Sequence, residues 1–223
     1  MPDLSVILFD AGNTLIHPAL PVGEIYAEVA GHYGLKVNPR ALQVGFARAW
    51  EKFRPRAETL AGGNHYSFLW WKAIVSEAWA EVASPPDFPF DDYFTEVYQS
   101  FEHPRLWRVF PDAQLALDKL AAKGVRLGIL SNWDVRLRTI LKGVELYDYF
   151  EHLIISEEVG VCKPHPDIFR LAAEKFGVAP GEITLIGDDP ECDGAGATQA
   201  GIKSFIIRRP EIDVLVALES AGI

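Results

Sequence analysis

Between residues 187 and 193 the chain reads Gly-Asp-Asp-Pro-Glu-Cys-Asp, which places four carboxylates in seven positions. Like charges so close repel unless something neutralises them, and a divalent cation with oxygen ligands does so. Asp188, Asp189 and Asp193 are therefore candidate metal ligands; the alternative is a loop supplying N-caps to a helix that starts near Asp193. Asp10 ends an apolar run and is a candidate nucleophile, although alone it could be only another N-cap. Gly12, two residues on, lets backbone approach a ligand or metal closely, and the Thr14 hydroxyl can bond the nucleophile or the loop. Ser131-Asn132 has donors for an anionic oxygen, though both are ordinary turn residues. Lys163, between prolines in Cys162-Lys163-Pro164-His165-Pro166, would present one fixed ammonium; a loop lysine is otherwise merely solvated.

A carboxylate nucleophile, a hydroxyl and amide pair, a lysine and a carboxylate cluster are together what in-line phosphoryl transfer needs. Mg2+ and Lys163 would screen the repulsion between Asp10 and a phosphate, and fixed donors would hold its equatorial oxygens. An aspartyl-phosphate would follow.

These residues must be brought together by a sheet. Residues 5–9, Ser-Val-Ile-Leu-Phe, form a short apolar run that stops at Asp10-Ala11-Gly12-Asn13-Thr14, which reads as a buried strand followed by a turn. The same form recurs over 125–130 before Ser131-Asn132, and over 183–186 before Gly187-Asp188-Asp189; 153–155 and 204–207 are weaker versions. Between them lie helical patterns, such as Ile168, Phe169, Ala172, Ala173 and Phe176, or Ala113, Leu117, Leu120 and Ala121. Alternating strand and helix predicts an α/β fold with a doubly wound parallel sheet. Ligands bind outside the carboxyl ends of such strands, where the polar punctuation falls.

Residues 18–103 differ. They show helical stretches, little strand signal and many aromatics, including Trp50, Phe53, Tyr66, Phe68, Trp70, Trp71 and Trp79; of these Trp70, Trp71 and Trp79, at helical spacing, are expected to pack a core rather than contact substrate. This predicts a helical domain inserted into a core made of 1–17 and 104–223. Its hinges are expected at His17-Pro18 and His103-Pro104, with an internal loop at Gly62-Gly63.

Composition bounds the partners. Of 223 residues, 49% are hydrophobic and 23% charged, so the chain should fold throughout, and a net charge of −10 would repel a nucleic acid or an anionic membrane. Any positive pocket must be made locally, by Lys, Arg and backbone N–H groups. The expected partner is a small-molecule substrate, phosphorylated or halogenated. Cys162 and Cys192 form no CxxC and are expected to be inert thiols. The start, Met1-Pro2-Asp3-Leu4, has no basic segment before an apolar stretch, and no later run could cross a membrane, so the cytoplasm is expected. Monomer and homodimer remain open.

Taken in order, these motifs resemble the haloacid dehalogenase superfamily along almost the full length. The resemblance rests on 7–15 (Ile-Leu-Phe-Asp-Ala-Gly-Asn-Thr-Leu), Leu130-Ser131-Asn132, Lys163 with 164–169 (Pro-His-Pro-Asp-Ile-Phe), and Gly187-Asp188 with Asp193; Ala195-Gly196-Ala197 and Ala200-Gly201 also fit. It implies a Rossmann-like core and a helical cap that closes over the site and selects the substrate. Trp70-Trp71, His103-Pro104 with Trp107, and Ser131-Asn132-Trp133-Asp134 are similar to the group of haloacid dehalogenase-like hydrolase domain-containing protein 3. By resemblance, Asp10 is nucleophile and metal ligand, the Gly12 carbonyl a metal ligand, and Ser131 and Lys163 phosphate binders. Asp188 would hold Mg2+ directly, with Asp189 or Asp193 acting through water.

One departure stands out. Phosphatases of the superfamily carry a second Asp two residues after the nucleophile, which protonates the leaving group and activates water; here that position is Gly12. A phosphatase with an easy leaving group or a substitute acid, for which His17 is a candidate, remains the leading expectation. A 2-haloacid dehalogenase would need no acid there. A carbon–phosphorus hydrolase would need a Schiff-base lysine, Lys52 or Lys72, and a phosphate-binding or regulatory protein would need no turnover.

Overall fold

The computed structural model describes residues 6–53, 66–80, 82 and 84–223. At its centre β1 (Val6–Phe9) pairs in parallel with β4 (Arg126–Ser131) on one side and β6 (Ile183–Gly187) on the other. Outside these lie β5 (His152–Ile155) and β7 (Lys203–Ile206), giving an all-parallel sheet ordered β5-β4-β1-β6-β7.

The four side chains of β1 are fully buried because both faces of the sheet are covered. Ile7 and Phe9 pack with Ala113, Ala116, Leu117 and Leu120 of α5 (Pro111–Ala122), and with Leu137 and Ile140 of α6 (Arg136–Gly143). Val6 and Leu8, one pleat out of phase, pack with Ile168, Phe169, Ala172 and Phe176 of α8 (Pro166–Phe176). This is the doubly wound α/β fold that the alternation predicts. The chain leaves β1 for β4 and β5 on one side, then crosses to β6 and β7 on the other, so the switch in direction falls between β1 and β6.

Between β1 and α5 stand, among the described residues, four α-helices, α1 (Val22–His32), α2 (Pro39–Phe53), α3 (Tyr66–Ala78) and α4 (Phe90–Ser100). They have a core of their own, in which the Trp79 indole stacks on Phe88 and donates to the Tyr93 hydroxyl at 3.0 Å, while that hydroxyl donates to the Tyr26 carbonyl at 3.2 Å. The tryptophans of this insert therefore serve packing: Trp70 donates to the Phe53 carbonyl at 2.8 Å and packs edge-on against Trp71. Gly62-Gly63 lies outside the described residues.

Where irregular hinges are expected, the structure has a ribbon. β2 (Ile16–Pro18) and β3 (Trp107–Val109) pair antiparallel, with His17 opposite Arg108 and Pro18 opposite Trp107. Three-residue strands, one of them Ile-His-Pro, carry no pattern strong enough to be read in sequence. A second link joins core and insert: Arg136 forms a buried ion pair with Asp134 at 2.6 Å, donates to the Tyr98 carbonyl of α4 and lies over the Tyr98 ring. Among the described residues no helix is long and apolar enough to cross a membrane.

Candidate active site

Strand register alone gathers the three loaded turns. Phe9 is level with Ile129 and Ile186, and the Asp10 amide continues the ladder to the Ile186 carbonyl at 2.9 Å. Asp10 therefore leaves the sheet at the height of Leu130 and Gly187, with Ser131 and Asp188 one step beyond. Ser131 Oγ donates to Asp10 Oδ1 at 2.9 Å. Both residues are buried, Asp10 with 11% of its side chain exposed.

Lys163 reaches the same oxygen from another direction. Its Nζ lies 2.7 Å from Asp10 Oδ1 and 2.5 Å from Asp193 Oδ1, with 2% of the side chain exposed. Burial alone would pull the ammonium down, but the two carboxylates outweigh it and hold Lys163 well above the ordinary lysine value. Asn132 sets its position: the carboxamide accepts from the Lys163 N–H and donates to the Lys163 carbonyl, each at 2.8 Å. The side chain of Asn132, a candidate substrate binder in sequence, is thus bound at both ends to the backbone of the lysine. Asp10 Oδ2 has no hydrogen-bond partner among the described residues.

The carboxylate cluster that forms comprises Asp10, Asp188 and Asp193, each with an oxygen within 4.8 Å of the others. Burial, then the charges of Asp10 and Asp193, push Asp188 up to about 7, and burial raises Asp193 despite Lys163. Asp188 also lines an open cleft of about 360 Å³ with Asn13, Phe110 and Arg208. Asp189 does a different job: its Oδ1 accepts from the Glu191 and Cys192 N–H groups, capping the single wide π-turn Pro190–Ala195. That turn swings Asp193 back beneath the cluster, where its Oδ2 accepts from the Asp189 N–H at 3.0 Å. Gly187 is required here, because a Cβ would stand 2.2 Å from Asp193 Oδ2. Burial raises the Cys162 thiol to about 11 and the Cys192 thiol to about 12, so neither is a nucleophile at neutral pH.

The other residues singled out in sequence frame the site. Thr14 is fully buried, and its hydroxyl has no partner among the described residues. His17 packs on Phe110 at 4.4 Å, with Nδ1 2.8 Å from the Pro18 carbonyl, rather than against the carboxylates. Lys52 and Lys72 are each ion-paired, with Glu77 and Asp91, on the insert. Gly12 faces an indole: a Cβ there would meet Trp133 Cζ3 at 2.9 Å.

Arg209, which no motif of the sequence singles out, holds the loop that follows Asp10. Its guanidinium forms a bidentate pair with Asp112, at 2.8 and 2.9 Å, and donates to the Asn13 and Thr14 carbonyls at 3.4 and 3.0 Å. Its flat face lies over Phe110. These partners are up to 196 positions distant in sequence, so no local pattern signals them.

The family model for haloacid dehalogenase-like hydrolases matches residues 4–201. The chain is 30% identical over 214 residues to the human haloacid dehalogenase-like hydrolase domain-containing protein 3, covering 93% of this chain and 83% of that protein. It is also 30% identical to a phosphoserine phosphatase of Thermus thermophilus, covering 92% and 89%. Among solved structures, the L-2-haloacid dehalogenase of Xanthobacter autotrophicus superposes with a TM-score of 0.70 at 21% identity, over 98% of this chain and 83% of that one. The match spans both the strands that carry Asp10, Ser131 and Asp188 and the helical insert between them, and on it this chain belongs to the haloacid dehalogenase-like hydrolases.

Proposed function

We propose that this hydrolase is a Mg2+-dependent phosphatase of a small molecule, acting through an aspartyl-phosphate on Asp10. The observation that carries the reading is the shared oxygen: Ser131 Oγ and Lys163 Nζ converge on Asp10 Oδ1, leaving Oδ2 for attack, beside two further carboxylates. The cluster fits a hard cation. It offers only oxygen donors, and without a cation burial, then the charges of Asp10 and Asp193, push Asp188 up to about 7 against the opposing pull of Lys163. Asp10 and Asp188 would hold Mg2+, with the Gly12 carbonyl, while Asp193, bound to Lys163 and the Asp189 amide, acts through water. When bound, the ion supplies positive charge against the phosphate oxygens.

In this reading Asp10 Oδ2 attacks phosphorus in line, and Ser131 and Lys163 turn part of their hydrogen bonding from Asp10 to the phosphate oxygens. Asn132 keeps the ammonium in place. The insert acts as a cap, excluding water and selecting the substrate. The phosphatase relative from Thermus thermophilus supports this assignment. The test is phosphate release from a panel of phosphate esters and acyl phosphates with Mg2+ present or chelated. Release that disappears with chelator and with Asp10→Asn is expected; release unaffected by Asp10→Asn overturns the reading.

A second reading rests on Gly12. Asp10 could displace halide from a 2-haloacid with no acid at position 12 and no metal, and haloacid dehalogenases are among the structures that share this fold. The clustering of Asp188 and Asp193 with Asp10 favours the phosphatase, because displacement of halide by Asp10 needs no cation for the other two to hold. Halide release that persists in chelator would reverse the order.

A further inference from the structure

We propose that Trp133 is the specificity-determining residue of this site, its indole standing where an acid at position 12 would lie and confining the substrate to acyl phosphates, whose leaving group needs no proton. This rests on the phosphatase reading above.

The geometry makes positions 12 and 133 mutually exclusive. A Cβ on residue 12 would lie 2.9 Å from Trp133 Cζ3, 3.7 Å from Cη2 and 3.8 Å from Cε3. That ring is packed on one side and anchored through its backbone. It packs against Trp107 of β3 with centroids 5.2 Å apart, and its own backbone is fixed at both ends: the Trp133 N–H donates to Ser156 Oγ, which donates back to the Trp133 carbonyl, each at 3.0 Å. The Glu157 N–H adds a third bond to that carbonyl. An aspartate at position 12 would need room for a carboxylate beyond the Cβ, so the indole removes both the side chain and the space for one. Gly12 is thereby a fitted partner of Trp133 rather than a simple loss.

The chemistry that remains has a matching substrate. Asp10 Oδ2 bonds to phosphorus, the bond from phosphorus to the acyl oxygen breaks, and its electron pair departs on a free carboxylate. A carboxylate's conjugate acid has a pKa of about 4, so it leaves as the anion at neutral pH, whereas a phenol at about 10 leaves less readily and an alkoxide must be protonated as it departs. The transfer exchanges one carboxyl-bound phosphoryl group for another and is close to balanced in energy. Water then attacks phosphorus, the bond to Asp10 breaks with its pair returning to the carboxylate, and the water proton leaves with inorganic phosphate. That second step lacks a base at position 12, so the aspartyl-phosphate should accumulate.

The experiment compares acetyl phosphate, phenyl phosphate and glycerol phosphate with Mg2+, in wild type, Gly12→Asp, Trp133→Ala and the double variant, with thermal melts for folding. Wild type is expected to favour acetyl phosphate and to show a burst of one acetate per enzyme ahead of slower phosphate release. Gly12→Asp alone should gain nothing on glycerol phosphate, and the double variant should gain at least ~10-fold, toward the ~10²–10⁴ typical of acid–base catalysis. If Trp133→Ala does not fold, Trp133→Leu takes its place, and the wild-type leaving-group series needs no variant. Equal turnover of acetyl and glycerol phosphate by wild type, or an equal gain from Gly12→Asp alone, overturns the role of Trp133 and leaves the phosphatase standing. Absence of phosphate release from all three overturns both.

Discussion

Asn132 grips the peptide backbone of Lys163 with both ends of its carboxamide, and the ammonium so placed bridges Asp10 and Asp193. A residue that touches no carboxylate of the cluster thus sets the position of its counter-charge. Asn132→Ala should lose both bonds and let the lysine backbone shift. The expected outcome is a kcat lowered by about 10- to 100-fold with KM changed less, and about 1–3 kcal/mol of lost stability. Asn132→Asp keeps only the acceptor half and should behave like the Ala variant. Equal kcat in all three proteins would deny the positioning role.

Removing the ammonium itself should cost more. Lys163→Met leaves Asp10 and Asp193 buried without their common partner, and breaking a buried pair on one side costs about 3–5 kcal/mol. Urea unfolding should show that loss at pH 7, together with loss of turnover. Lys163→Arg should not restore activity, because the bulkier fork cannot enter a pocket that leaves 2% of the lysine exposed.

Metal binding should register without any substrate. At about 100 times Kd, Mg2+ should stabilise the protein by about 2.7 kcal/mol, and at ~2–4 °C per kcal/mol for a chain of this size the melt should rise on the order of 5–10 °C. Asp188 is raised to about 7 in the folded, metal-free protein, so that state holds a proton the unfolded chain has already released. Metal-free stability should therefore fall as pH rises from about 4 through 7. Asp188→Asn should flatten that slope, leave the metal-free protein more stable than wild type at pH 8, and abolish the Mg2+ shift. A melt insensitive to Mg2+ in wild type would sink the cation site.

Arg209 and Asp112 give the opposite pH sign. Burial would raise Asp112, but the Arg209 guanidinium and the Val214 N–H outweigh it and hold the carboxyl below its ordinary range. Its contribution is complete above the ordinary carboxylate value, about 4, and is lost as pH falls through the lower folded value. Asp112→Asn should thus cost about 1.5–3 kcal/mol at pH 7, with the gap to wild type closing in acid. Arg209→Ala should add a catalytic defect, since it also frees the Asn13 and Thr14 carbonyls next to Asp10.

How far the sequence carries can be seen residue by residue. Asp10, Ser131 and Asp188 were legible because each ends a short apolar run, and parallel strands bring run ends together. Lys163 was legible through its prolines. The division of labour between Asp189 and Asp193 was not, since it depends on the π-turn that carries one four residues past the other. Arg209, and the contact of Trp133 with Gly12, were hidden for a related reason: each joins segments more than a hundred residues apart by a fit of shapes that no period encodes.

The β2–β3 ribbon gives the insert an unusual kind of portability. Because the outgoing and returning strands are hydrogen-bonded to each other, with Pro18 facing Trp107, the two crossings form one joint about 5 Å wide rather than two independent tethers. A replacement bundle would have to bring its ends side by side to that joint and would forgo the Arg136 contacts with Tyr98. The joint is thus a socket, through which new substrate preferences could be installed over an unaltered Asp10.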